Sequence, residues 1–231
     1  MRFLPLFSSS AGNAYLLDDG KSCLLLECGV SYRKLKKQIG FDLSGLSGCL
    51  ISHEHRDHSH CFLELIRDGV PVYTSIGTAT ALDCHELVTI KEGQVVSVGS
   101  FDVLPFRTFH DGLEPFGYLI RSQEDGEKMM FATDTANLQY HFPGVSIVAI
   151  EANFSSSLLG MSQKIPDKIK KRIANNHMEI DRVCDYLQSR KWDKLREIYL
   201  LHLSRDWGNG PLFADLVERA CPGVQVIVCP R

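Results

Sequence analysis

Residues 50–60 read LISHEHRDHSH, so four histidines, a glutamate and an aspartate follow a short apolar run. Imidazole nitrogen and aspartate oxygen at this density suit zinc, and also iron or manganese. Neighbours on a helix diverge by about 100° each, so His53, His55, Asp57 and His58 cannot all face one point from a helix. On a loop leaving a strand they can. CLIS (49–52) reads as that strand, delivering His53 and His55 with alternating spacing while Asp57 and His58 come round the following turn. Donors this close in sequence need further donors from distant loops. FRTFHDG sets His110 at a strand end, MMFATDTAN does the same for Asp134, and IYLLHLSRD for His202. A lone His or Asp in such a place is usually structural, whereas three of them beside the 53–58 cluster make a metal centre the better reading.

The elements that must position these groups are short. Strand-like runs, many bounded by Gly, Pro, Asp or Ser, fall at 2–7, 14–18, 22–27, 49–52, 71–75, 95–98, 101–107, 116–122, 128–133, 146–150, 197–201 and 224–229. Ile180, Val183, Cys184 and Leu187 recur at helical spacing and predict an amphipathic helix over 179–190. Further helices are predicted at 31–39, 59–68, 76–84, 135–141, 163–175 and 211–220. Early strands in a meander with helices clustering later in each half predict an α+β sandwich, sheets inside and helices outside.

A chain of 231 residues with 44% hydrophobic and 23% charged residues suits one domain, 1–231, with one sizeable core. Its longest apolar runs fall far short of the roughly 20 residues that span a bilayer, and its first residues alternate like a strand, so a cytoplasmic protein with no membrane partner is expected. The eight cysteines contain no C-x-x-C spacing and read as buried reduced thiols. A net charge of −3 gives no overall pull toward nucleic acid. Lys164, Lys168, Lys170, Lys171, Arg172, Arg182, Arg190, Lys191, Lys194, Arg196 and Arg205 nevertheless make the C-terminal third locally basic, either as a solvated surface or as a face for an anionic substrate.

H-x-H-x-D-H followed in order by a strand-end His, Asp and His resembles the metallo-β-lactamase fold superfamily, and the likeness runs through nearly the whole chain. The resemblance implies a four-layer αβ/βα sandwich holding two divalent ions, zinc first, with Mn2+ or Fe2+ as alternatives. It implies that His53, His55 and His110 hold one ion, that Asp57, His58 and His202 hold the other, and that Asp134 bridges them, with room left for a water. One departure is Glu27 in LLLECGV, where the family carries Asp in a pattern like L-I-D-x-G and uses it to orient ligands. Homodimers are common among such proteins, so a homodimer is expected.

The chemistry narrows further. No cysteine falls in the ligand motifs, which disfavours a lactam substrate. IVAIEANF sets Glu151 after a strand, and IANNHMEIDRV sets His177 before a helix, an order similar to that of ribonuclease Z and its phosphodiesterase relatives. By that resemblance Asp57, Glu151 and His177 form the catalytic set, His177 protonating the leaving oxygen under orientation by Glu151. FSSSAGN resembles the opening of a small exonuclease-like branch, whose turn at Ser8, Ser9, Ser10, Gly12 and Asn13 would face the site. A role for a His-Asp pair after E-A-N is absent, because the chain reads EANFSSS. No long Gly/Pro-rich insertion resembles a substrate-clamping arm, so single-stranded or terminal nucleic acid, or a small cyclic nucleotide, is the expected substrate. A thioesterase or lactonase, and a non-catalytic metal-stabilised nucleic-acid-binding protein, are the competing readings. His60, His85 and His141 read as surface or structural.

Overall fold

Strand-forming segments that alternate apolar side chains on both faces need cover on both faces, and the chain meets that need by facing two sheets and backing each with helices. The computed structural model describes residues 1–40, 42–162 and 165–230. The first sheet holds β1 (Arg2–Ser9), β2 (Gly12–Asp18), β3 (Cys23–Leu26), β4 (Leu46–Leu50), β5 (Val72–Thr74) and β6 (Val88–Thr89) in sequence order. The second holds β7 (Val96–Val98), β8 (Phe101–Arg107), β9 (Phe116–Ser122), β10 (Lys128–Ala132), β11 (Ile147–Glu151), β12 (Glu197–Leu201) and β13 (Gln225–Val228), again in order. Each sheet begins antiparallel and ends parallel: β3 to β6 in the first and β10 to β13 in the second.

Alternation along the strands sorts side chains into layers. Met129 and Phe131 of β10 and Ile147 and Ala149 of β11 meet Leu24, Leu26 and Leu50 between the sheets. Their neighbours Met130, Ala132, Val148 and Ile150 point outward against α7 (Ile180–Gln188) and α8 (Gly210–Ala220). The first sheet is backed in the same way by α1 (Tyr32–Gln38), α3 (Phe62–Arg67) and α4 (Ile76–Ala81), through Leu35, Leu65 and Ala79 on Leu25, Cys49 and Val72. This is the expected four-layer sandwich. Helix α7 keeps its predicted apolar face, burying Ile180, Val183 and Leu187 at about 1.5–3 kcal/mol each. The eight cysteines are free thiols.

The remaining helices are α2 (Arg56–Ser59), α5 (Ser156–Met161) and α6 (Asp167–Asn176). They mark where the sequence reading needs correction. No helix forms at 135–141, because its amides are taken by distant acceptors: Thr135 N donates to Glu151 Oε2 at 2.9 Å and Ala136 N to the Phe109 carbonyl at 2.8 Å. The helix expected at 59–68 is α3, which starts at Phe62, and the turn α2 before it, α5 and the two-residue β6 were not foreseen. The helix expected at 163–175 is α6, with Gln163 and Lys164 outside the described residues. No helix among the described residues is long and apolar enough to cross a membrane.

Candidate metal centre

The parallel strands of both sheets deliver their carboxyl ends to one place, the edge where α/β folds bind ligands. Glu27 follows β3, the 53–58 segment follows β4, Asp134 follows β10, Glu151 ends β11 and His202 follows β12. Three of these residues, Glu27, Asp134 and His202, have φ of 63°, 42° and 51°, the left-handed region that side chains avoid. Such backbone costs about 1–3 kcal/mol per residue and survives where surrounding bonds over-determine it. His202 illustrates this: its N–H donates to Ser8 Oγ at 2.8 Å and its carbonyl accepts from Asn153 Nδ2 at 2.8 Å.

Strand β4 ends at Leu50, short of the expected strand over 49–52, and the chain bends at His53 and Glu54 before His55 caps the single turn α2, so His53 and His55 are presented by a bend and Asp57 and His58 by a helical turn. Close backbone packing fixes it. Gly29 lies so near that a Cβ there would fall 1.6 Å from the Asp57 carbonyl oxygen, and Cys28 N donates to the His58 carbonyl at 2.8 Å. Glu54 turns away and accepts from Leu113 N at 2.7 Å, tying the segment to the loop that carries His110.

All seven expected donors converge. His55 Nδ1 stands 3.0 Å from His53 Nε2 and 3.2 Å from His110 Nε2. His110 donates from Nδ1 to the Asn176 carbonyl at 2.8 Å, which leaves the lone pair of a neutral ring on Nε2, facing the other two rings. Asp134 stands between this group and the next. Its Oδ2 is 3.4 Å from His58 Nε2 and 3.6 Å from His110 Nε2, while Oδ1 is 2.6 Å from His202 Nδ1. His202 Nε2 is 3.6 Å from Asp57 Oδ2, and Asp57, His58 and His202 form a second cluster of mutually close donors.

These donors fit cations. His202 Nε2 is buried with no hydrogen-bond partner, an arrangement costing about 1–3 kcal/mol that an ion among Asp57, His58 and His202 would relieve. Glu27 Oε2 and His58 Nδ1, 3.2 Å apart, are too misaligned for a hydrogen bond. Glu27 is fully buried, its Oε1 accepting from Ser52 N at 3.1 Å, so it is no surface carboxylate. Burial drives the His53 pKa well below the ordinary imidazole value, with the charge on His58 adding to the effect. Burial opposes charge on His58 and His202 as well, but Asp134 with Glu27 and Asp57 holds His58 well above the ordinary value, and Asp134 with Glu151 raises His202 to about 10.

Behind the donors runs a buried relay. The His202 amide donates to Ser8 Oγ, Ser8 Oγ contacts Tyr15 Oη at 2.8 Å, Tyr15 Oη donates to Asn13 Oδ1 at 3.1 Å, and Asn13 Nδ2 donates to the Asp57 carbonyl at 3.1 Å. Ser8 and Asn13 of the opening motif are thus buried supports joining the two sheets' contributions, with Ser8 paired to Asn13 across the β1–β2 hairpin. Tyr15 had no sequence signal beyond its place in a strand.

Beside the cluster, Glu151 Oε1 lies 2.7 Å from His177 Nδ1 and 3.3 Å from His202 Nδ1. Its Oε2 accepts from Thr135 N and, at 3.1 Å, from Met178 N, so one buried carboxylate joins three segments. Burial works against the His177 cation, but the Glu151 charge and hydrogen bond prevail and its pKa is raised. His177 borders a cavity of about 350 Å3 that also meets His55, Asp57, His110, Asp134 and His202. Helix α6 covers it with Ile169, Arg172, Ile173 and Asn176, although no residue of α6 is buried. Asp111 was not foreseen as part of this surface; it accepts from Arg172 Nη2 at 3.0 Å and Asn176 Nδ2 at 3.3 Å, and its place beside His110 was the signal. His60 is exposed and turned from the donors, against Arg56.

Two facing sheets with a strand-end cluster of histidines and carboxylates define the metallo-β-lactamase fold, which implies divalent metal ions, and the family and relatives that the chain matches make it a hydrolase of that fold. The chain belongs to the beta-lactamase superfamily, whose domain model matches residues 23–202. It is 28% identical over 226 residues to a protein named exodeoxyribonuclease YycJ from Bacillus anthracis, covering 89% of this chain and 83% of that one. It is 27% identical over 224 residues to exodeoxyribonuclease WalJ from Streptococcus pneumoniae, covering 89% of this chain and 82% of the relative. In structure it is similar to the metallo-beta-lactamase fold protein YhfI from Bacillus subtilis, with a TM-score of 0.73, 17% identity, and coverage of 98% of this chain and 95% of that one.

Proposed function

We propose that this hydrolase is a dinuclear phosphodiesterase that cleaves nucleic acid, with a single-stranded or terminal DNA strand as the first substrate to test and RNA and small cyclic nucleotides as further members of the class. The relatives named exodeoxyribonuclease support the nucleic-acid substrate. The observation that carries the phosphodiester reading is the Glu151–His177 pair at the wall of the cavity. An alkoxide is a poor leaving group and needs a proton, whereas a thiolate does not, so this pair favours a phosphodiester over a thioester.

In this reading His53, His55 and His110 hold one ion, Asp57, His58 and His202 the other, and Asp134 lies between them. Such ions, with zinc expected, supply a water of lowered pKa and positive charge for the phosphoryl oxygens. The chain does the rest. Glu151 occupies Nδ1 of His177, so the proton for the leaving oxygen is held at Nε2, and the raised pKa keeps it there near neutral pH. Helix α6 covers the reacting groups, and the Arg172 guanidinium at its lip offers charge to an anionic substrate. A sandwich sharing one core between its sheets suits a single domain, 1–231, and a cytoplasmic setting suits its reduced thiols.

The test is His177→Ala, with metal content measured alongside cleavage. On an oligonucleotide, whose leaving oxygen is strongly basic, the rate falls by about 10²–10⁴-fold. On bis-p-nitrophenyl phosphate, whose leaving group needs no proton, it changes little, and bound metal is unchanged. Equal losses on both substrates would remove the acid role from His177.

A further inference from the structure

A second cavity of about 350 Å3 adjoins the first, sharing Ser10 and Asp57 with it. Its other walls are Ala11, Gly29, Arg56 and His60. Ser10, Ala11 and Gly29 bring short side chains or none, leaving room for a chain to lie against their backbone. Also lining it, the Arg56 guanidinium donates from Nη2 to His60 Nε2 at 3.4 Å, which orients the guanidinium and leaves its other N–H groups free for a ligand. Arg56 differs from Arg172 in a telling way. The Arg172 guanidinium is already paired with Asp111, whereas Arg56 has no carboxylate partner among the described residues.

The geometry points to a phosphate subsite at Arg56: a strand whose scissile phosphate lies at the Asp57 wall continues past it, and the next phosphate is held by the Arg56 guanidinium, which His60 Nε2 orients by accepting one of its N–H groups. This inference rests on the nuclease reading and sharpens it. A mononucleotide or cyclic nucleotide carries one phosphate and cannot fill both cavities, so the substrate class narrows to a polynucleotide. Guanidinium is suited to the role because it is permanently charged and its planar fork matches phosphate oxygens.

The experiment compares the wild-type metal-loaded enzyme with an Arg56→Ala/His60→Ala variant on an oligothymidylate of a dozen nucleotides and on bis-p-nitrophenyl phosphate, at several salt concentrations. On the oligonucleotide, KM of the variant rises about tenfold, the scale of one lost charged contact. The slope of log KM against log salt becomes shallower by about 0.7, the share of one phosphate contact to a single strand. The small ester has no second phosphate, and its kcat/KM stays within about twofold. Arg56→Lys recovers most of the lost KM by restoring the charge. An unchanged KM and slope on the oligonucleotide overturns the subsite while leaving the nuclease reading standing. Equal loss on both substrates also overturns it, showing that Arg56 acts through its neighbour Asp57. A wild-type enzyme that cleaves the small ester but no oligonucleotide removes the nuclease reading and the subsite together.

Discussion

The floor and the lip of this centre are built differently. His53, His58, Asp134, Glu151 and His202 are at most 3% exposed, while the side chains of His55, Asp57, Asp111 and His177 are 36%, 26%, 34% and 22% exposed. The floor is made rigid by strand ends, left-handed backbone and the Ser8–Tyr15–Asn13 relay, whereas the lip includes α6, a helix with no buried residue. The floor's buried donors balance one another only in part without cations, as the partnerless His202 Nε2 shows. The lip's groups have solvent and a cavity in front of them. In the function proposed above, the floor would assemble the centre and the groups bordering the cavity would meet the substrate.

Removing the hub of the floor breaks that division most sharply. Asp134 faces His58 and His110 with one oxygen and His202 with the other, so Asp134→Ala lowers bound metal and takes turnover below detection, a greater loss than the roughly 10⁴-fold ceiling of a proton-transfer group. Elemental analysis and circular dichroism check it. Full metal content with full activity would mean that Asp134 is not the hub.

Glu151→Gln acts where floor and lip join. The amide keeps the shape but loses the charge that holds the His177 pKa up, so that pKa falls. A general acid works only while protonated, so the loss of kcat/KM with rising pH begins at lower pH in the variant. The rate near neutrality falls by about 10²-fold, the lower end for an oriented proton donor. A pH profile unmoved from wild type would separate Glu151 from the acid role. Asn13→Ala is milder. Its Nδ2 reaches the Asp57 carbonyl at 3.1 Å and His58 Nε2 at 3.2 Å, and its loss lowers metal affinity by about tenfold with kcat at saturating metal nearly unchanged.

The metal donors, in floor and lip alike, were far more legible in the sequence than the cover over the cavity. His53, His55, Asp57 and His58 declare themselves by density, and His110, Asp134 and His202 by following apolar runs, because a strand's burial is written in its composition. Left-handed φ at Glu27, Asp134 and His202 was not legible, since only glycine advertises it. The false helix at 135–141 has the same origin: local spacing competes with tertiary acceptors such as Glu151 and the Phe109 carbonyl, which no local pattern reveals. Helix α6 was predicted in outline, but its place over the cavity rests on exposed contacts, Asp111 with Arg172 and Asn176, between residues some 60 positions apart.

Those lip contacts give the smallest effect and the finest comparison. Arg172 is 68% exposed and its ion pair with Asp111 is half in solvent, so the pair contributes about 0–1 kcal/mol to stability and Arg172→Ala barely moves the unfolding midpoint. The guanidinium nonetheless borders the cavity, and an anionic substrate there competes with Asp111 for it. The variant should raise KM about threefold while leaving kcat and bound metal unchanged, with the difference shrinking at high salt as solvent-exposed charges are screened. A fall in kcat with KM unchanged would instead mean that the clasp positions α6 and, through its last residue Asn176, the rings of His110 and His177. The lip would then belong to the floor's machinery, and the division between the two would have to be redrawn.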